Sequence, residues 1–304
     1  LPGEAVRAAM PPLEERLALA ERTMMALVAD AEMPPKIGVH PRPDASFAHA
    51  MPAFLRGGSG DGSGDALGMK WVAGVPGNLA AGLASIHALL LMNDPLTGVP
   101  VGILDASPIT AERTAAVSGV AIRRFAPRLE GRPARVALIG AGTQGRSHLP
   151  VLGHLLAGCT LAIADVDRGR AEALAEVARG TAGIAATEVV GSAREAVAGA
   201  DVVVTAAAFG PVRQVMTNDW LAPDALVVAV DYATYAAAEV ARDAALFAVD
   251  ERVQFLANRD AGLFDGYPDP PLTLGEAILR GIGRPAGGRI LVTHLGVGLA
   301  DVVF

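Results

Sequence analysis

Between residues 131 and 262 the chain alternates short apolar runs with alanine-rich segments of helical periodicity. The runs 136–139, 161–164, 184–190, 202–206, 226–230 and 246–249 are strand candidates. Segments 168–178 and 193–198 between them are amphipathic, as helices covering a sheet should be. This order predicts an α/β, Rossmann-type doubly wound parallel sheet of six strands joined by right-handed crossovers.

Upstream the pattern changes. Residues 12–31 read as a helix with one apolar face and Pro11-Pro12 at its start. The proline-rich stretch 34–43 suits extended edge structure, and 57–64, all Gly, Ser and Asp, reads as an exposed loop between strands. The uncharged stretch 71–93 is long enough to cross a bilayer, but Gly74, Pro76, Gly77, Asn78, Gly82 and His87 interrupt it. A buried strand, turn and helix fit it better, so no membrane partner is expected. Because the parallel-sheet pattern lies mid-chain, the flanking segments are expected to join into a second, α+β domain. The expected divisions are 1–126, 127–263 and 264–304, with the last segment completing the first.

At 304 residues and 52% hydrophobic content, the chain can build two cores. A net charge of -7 with scattered basic residues argues against nucleic acid, which calls for a clustered basic stripe. Cys159 is the sole cysteine, so no intrachain disulfide forms, and the expected location is cytoplasmic. No basic stretch followed by an apolar one opens the sequence, so no leader is expected. The six histidines show no ligand spacing, and no metal is expected. No Gly-x-Ser-x-Gly elbow follows a strand; Gly60-Asp-Gly-Ser-Gly64 has loop composition.

The strand candidate 136–139 breaks into Gly140-x-Gly142-x-x-Gly145 and continues into a helical pattern. Gly140, Ala141, Gly142, Thr143, Gln144 and Gly145 are the candidate phosphate loop: glycines allow a tight turn and close approach of a pyrophosphate, and the helix start offers free N–H groups. Asp165 ends the second strand 20 residues after Gly145, where a ribose hydroxyl is expected. Its charge repels a 2′-phosphate, which favours NAD(H), while Arg168 and Arg170 leave room for NADP(H). Thr205, ending the fourth strand, is placed near the cofactor.

A nicotinamide enzyme acting on an amino or imino acid needs fixed cations for the carboxylate and an acid/base near the carbon that exchanges hydride. The upstream candidates are Lys36, Arg42, Lys70 and Arg113. Lys70 interrupts the alternating strand Leu67-Gly-Met-Lys-Trp-Val-Ala73, so its ammonium needs a partner or ligand, or lies at an edge in water. Arg113 opens a helix that Thr110 can cap, a position the dipole disfavours for a cation unless an anion faces it. Pairing with Glu112 or another acid is the competing explanation.

Five ordered pieces resemble the ornithine cyclodeaminase and mu-crystallin family, from about residue 33 onward: Met69-Lys70-Trp-Val, Gly74-x-Pro76-x-Asn78, Asn93-Asp-Pro-x-Thr-Gly98, Ile109-Thr-x-x-Arg113-Thr-Ala-Ala and Gly140-x-Gly-x-Gln144-Gly. The resemblance implies a homodimer that binds NAD(P), with the outer domain dimerising and holding a small amino or imino acid. Lys70 and Arg113 fall on the family's strand lysine and carboxylate-binding arginine, and Ser85 on a hydroxyl position that follows this lysine. The family's earlier carboxylate-binding arginine aligns with Lys36, a point charge in place of a planar fork that Arg42 could supply instead. The family aspartate of acid/base chemistry falls on Ala233, two residues after Asp231, so Asp231 is the substitute candidate, its competing reading being a turn or cap. The activities implied are imine reductase or amino-acid dehydrogenase, ornithine cyclodeaminase with internally recycled NAD, or a crystallin-like NAD(P)H-binding protein without turnover.

Overall fold

The computed structural model describes residues 1–43, 45–58, 62–208 and 213–304. The chain forms two compact units, residues 1–113 with 296–304, and residues 114–295.

In the first unit β1 (Ala31–Glu32), β2 (Ile37–Val39), β3 (Phe47–Leu55), β4 (Ala66–Gly74), β5 (Ile86–Asn93) and β6 (Pro100–Asp105) form an antiparallel sheet in the order β1-β3-β4-β5-β6, with β2 also paired to β3. Alternation along β4 turns Gly68, Lys70, Val72 and Gly74 to the buried side and Trp71 to the other. Helices Gly3–Ala9, Leu13–Ala29 and Gly298–Val303 supply Val6, Ala26, Leu299 and Val302 to a core shared with Met51, Ala53, Val72 and Leu90. Each large aliphatic side chain buried there contributes about 1.5–3 kcal/mol. On the opposite face Ile37, Ala50, Trp71 and Leu89 are register partners across four strands, and Ile37, Trp71, Leu89 and Ile103 are 64, 42, 52 and 60% exposed.

The uncharged stretch 71–93 departs from its expected ending in a helix. After a turn of 3-10 helix at Pro76–Ala81 it returns as β5, because Ala88 and Leu90 alternate with exposed neighbours and pair back onto β4. The edge expected in 34–43 is β2. The glycine-rich loop falls between β3 and β4, with residues 59–61 outside the described residues.

The second unit holds β7 (Arg135–Ile139), β8 (Cys159–Ala164), β9 (Ile184–Val189), β10 (Val202–Thr205), β11 (Leu226–Ala229), β12 (Leu246–Val249), β13 (Leu272–Thr273) and β14 (Ile290–Thr293). All pair in parallel, in the order β13-β12-β14-β11-β10-β7-β8-β9. The six expected runs all form strands, and the order reverses between β7 and β10, the switch point of a doubly wound sheet. Two strands were not expected: β13 extends an edge, and β14 inserts between β11 and β12.

Residues 264–295 therefore stay with the parallel sheet, and only 296–304 join the first unit, in place of the expected return of 264–304. A four-residue apolar run such as Ile290–Thr293 satisfies either sheet, and only pairing decides. The first division falls after Arg113 instead of 126, within the continuous helix Ser107–Phe125, whose buried Ala115, Val117, Ala121, Ile122 and Phe125 belong to the second unit.

Candidate functional site

In the second unit β7 leads into the glycine loop. Gly140 has φ +104°, and a Cβ there would strike the Ala206 backbone; a Cβ at Gly145 would strike the Gly140 carbonyl. Gly140 is needed where the turn passes against the chain leaving β10, and Gly145 where the helix start folds back on the loop. A Cβ at Gly142 would meet nothing within 4 Å, which leaves the approach to the loop open. Helix Thr143–Leu155 starts at Gly142 with no side chain capping it, so its first amides remain for an anion. Asp165, after β8, accepts the Ala141 amide on Oδ2 at 2.6 Å and the Asp167 amide on Oδ1 at 2.8 Å. Each oxygen keeps lone-pair capacity for a ribose hydroxyl. Loop, open approach, uncapped helix start and strand-end carboxylate together fit a dinucleotide.

Past the end of β11 lies Asp231, 1% exposed, with no hydrogen-bond partner for either carboxylate oxygen among the described residues. Burial pushes its pKa up to about 6; the Thr205 hydroxyl and the Tyr235 amide lie toward it and oppose the rise without meeting hydrogen-bond geometry. The next two residues, Tyr232 and Ala233, have φ of 52° and 59°. Left-handed backbone at such residues costs on the order of 1 kcal/mol each and needs support. The support comes from the Thr234 amide and hydroxyl on the Asp231 carbonyl, Arg213 on the Tyr232 carbonyl, and the Gln214 amide on the Ala233 carbonyl. Ala233 itself is fully buried.

In the first unit Lys70 and Arg113, 1% and 4% exposed, converge on Asp301 of helix Gly298–Val303, which is 0% exposed. Lys70 Nζ lies 2.6 Å from Asp301 Oδ2, and Arg113 Nε donates to Oδ1 at 3.1 Å. Thr110 Oγ1 bridges them, 3.3 Å from Lys70 Nζ and 3.3 Å from Asp301 Oδ1. Burial, reinforced by Arg113 and Lys36, lowers the Lys70 pKa to about 7 against the support of Asp301. Burial alone would raise Asp301; Arg113 and Lys70 overcome it and hold the carboxylate below its usual range. Arg113 Nη1 is buried with no partner among the described residues. Gly296, with φ +78°, lets the guanidinium lie against the backbone, where a Cβ would stand 2.5 Å from Nη1.

Of the acids expected to compete for Arg113, Glu112 pairs with Arg16 instead, and the partner is the other acid, Asp301. Lys36 precedes β2, and its charge reaches Lys70. Ser85 sits in the turn before β5, its carbonyl accepting the Val75 amide, and Arg42 is exposed after β2; both lie outside the ion-pair cluster. Asp301 was missed by the sequence reading, although the signal that exposed Lys70 was there: a lone charge in the apolar run Gly298-Leu-Ala-Asp-Val-Val303. Among the described residues no cluster of His, Cys, Asp and Glu could hold a metal, and no helix is long and apolar enough to cross a membrane.

The sequence profile of the ornithine cyclodeaminase/mu-crystallin family matches residues 4–258. This chain belongs to that family. The match starts upstream of residue 33 and takes in the N-terminal helices. The nodulation efficiency protein NfeD of Rhizobium meliloti is 34% identical over 277 residues, covering 89% of this chain and 81% of its own. Among solved structures, an archaeal alanine dehydrogenase dimer with bound NAD superposes with TM-score 0.81 at 26% identity, covering 100% of this chain and 92% of that one. The Δ1-pyrroline-2-carboxylate reductase of Thermococcus litoralis, in complex with NADH and L-proline, has TM-score 0.81 at 24% identity, covering 97% and 92%, and shares the fold.

Proposed function

We propose that this chain is an NAD(P)-dependent enzyme that transfers hydride at the Cα of a small α-amino or α-imino acid. The observation that carries the reading is Arg113 Nη1, a buried cationic donor with no partner among the described residues, on a guanidinium that Asp301 and Gly296 hold in place. An unmet buried donor of this kind is stabilised by an arriving carboxylate.

Arg113 binds the substrate carboxylate, with Lys36 or Arg42 adding positive charge. Lys70, with a pKa about 7, holds or releases a proton at the reacting nitrogen near neutral pH, and Asp231, at about 6, relays protons. When bound, the nicotinamide supplies the hydride donor or acceptor. Gly140 to Gly145 cradle the pyrophosphate, and Asp165 takes the adenosine ribose hydroxyls, which favours NAD(H) over NADP(H). Alanine at 233, where the family's acid/base aspartate is expected, favours imine reduction or amino-acid oxidation over ornithine cyclisation.

Incubation with NADH and a panel of cyclic imino acids tests this. Net NADH oxidation is expected. Ammonia released from ornithine with no net change in NADH would point to a cyclodeaminase. Tight NADH binding without turnover of any amino or imino acid would leave a crystallin-like binding protein.

The apolar face of the antiparallel sheet supports a homodimer, with a second copy covering Trp71, Leu89 and Ile103. Light scattering should read a two-chain mass that falls to one chain in Trp71→Glu.

A further inference from the structure

Ser118, His148 and His294, all in the second unit, are 0, 0 and 1% exposed and have no part in the chemistry above. Ser118 Oγ lies 2.7 Å from His148 Nε2 and 2.8 Å from His294 Nε2. His148 Nδ1 lies 2.6 Å from the Gln144 carbonyl oxygen, inside the glycine loop.

The carbonyl and the burial of the His148 ring together fix every proton in this chain. It can only accept, so His148 Nδ1 carries hydrogen. Burial pulls the His148 pKa to about 4, so at neutral pH the ring is uncharged and its Nε2 is a bare acceptor. The Ser118 hydroxyl must then donate to His148. That uses the one hydrogen of Ser118, so His294 Nε2 donates to Ser118 Oγ. Donation runs one way, from His294 to Ser118 to His148 to Gln144.

The first turn of helix Thr143–Leu155 has a reason to need such bracing. Pro150 lies inside the helix and has no N–H, so the Arg146 carbonyl loses the donor four residues on. The loss falls one turn from the amides that face the pyrophosphate. The Gln144 carbonyl in turn gathers side-chain donors, Ser147 Oγ at 3.0 Å and His148 Nδ1 at 2.6 Å.

We infer that Ser118, His148 and His294 are positioning residues for the dinucleotide, a one-way donor chain that fixes the first turn of helix Thr143–Leu155 and the direction of its amides. This rests on the reading that the glycine loop holds a nicotinamide dinucleotide. A merely space-filling trio would affect stability and leave cofactor affinity and tautomers unconstrained.

Two measurements test it. By titration calorimetry at neutral pH, Ser118→Ala should bind NADH about ten-fold or more weakly than wild type, since it leaves His148 Nε2 buried without its donor, and Ser118→Thr should restore binding. NMR of 15N-histidine-labelled wild type without cofactor should show the Nδ1–H tautomer for His148 and the Nε2–H tautomer for His294. Wild-type NADH affinity in folded Ser118→Ala, or an Nε2–H tautomer at His148, would overturn the inference. If Ser118→Ala does not fold, the tautomers decide. A wild-type protein that fails to bind NADH would overturn the cofactor reading itself, an outcome separable because the tautomers are read without cofactor.

Discussion

Asp301 and Asp231 are buried equally and held oppositely. Asp301, in the first unit, lies between Lys70 and Arg113, which keep it ionised. Asp231, in the second, has no partner for either oxygen among the described residues, and burial raises its pKa to about 6. Exposure of 0 and 1% therefore says nothing about charge at either site; the neighbours decide. The first aspartate is built to stay charged and hold cations still, and the second to change charge near neutral pH.

The largest effect expected on this contrast comes from Asp301→Ala. It leaves two buried cations without their carboxylate, and breaking such a group by removing one partner costs about 3–5 kcal/mol. Lys70 adds a signature in pH. Its folded pKa of about 7 lies below its unfolded value, so the unfolded chain holds more protons above pH 7 and stability rises with pH through that window. Without Asp301 the folded pKa drops further, and the rise should begin below pH 7. Urea melts across pH read both effects, and a loss under 1 kcal/mol would mean that Asp301 is not what compensates the two cations.

The same contrast shows what the sequence could display. The glycine loop and the six expected strands are contiguous, so periodicity and spacing reveal them. Lys70 stood out because a charge breaks a strand alternation, and Arg113 because the helix dipole calls for an anion. That anion comes from 188 residues away in sequence, a distance no local pattern encodes. The Ser118 donor chain was equally hidden, its members separated by 30 and 176 residues. The run that forms β14 fell in the segment expected to complete the first unit, since its neighbours β11 and β12 are fixed only by pairing.

Asp231→Asn should act in the opposite sense to Asp301→Ala. The folded pKa of Asp231 lies above its unfolded value, so the unfolded chain ionises first, and wild-type stability falls as pH rises from about 4 to about 6. Each tenfold change in proton affinity is worth about 1.4 kcal/mol, so the variant should be more stable than wild type by about 3 kcal/mol at pH 7 and unchanged near pH 3. Its turnover should fall about 100-fold or more. Full activity in Asp231→Asn would remove this residue from proton transfer.

The smallest effect, and the finest probe of the contrast, is Thr205→Val. Thr205 is fully buried at the end of β10, and its hydroxyl is the strongest influence opposing the rise of the Asp231 pKa. Valine keeps the shape and removes the hydroxyl. With Asp231 neutral near pH 4, the loss is of a buried hydroxyl that lacks a partner among the described residues, and the variant should match or exceed wild type in stability. With Asp231 ionised near pH 7, the carboxylate loses the dipole that most favours its charge and the variant should be the less stable of the two. The two stability curves should therefore cross between about pH 4 and 7, and the acid limb of kcat/KM should move to higher pH by up to about one pH unit. Parallel curves with an unmoved limb would show that Thr205 does not influence Asp231, leaving burial alone to set its protonation.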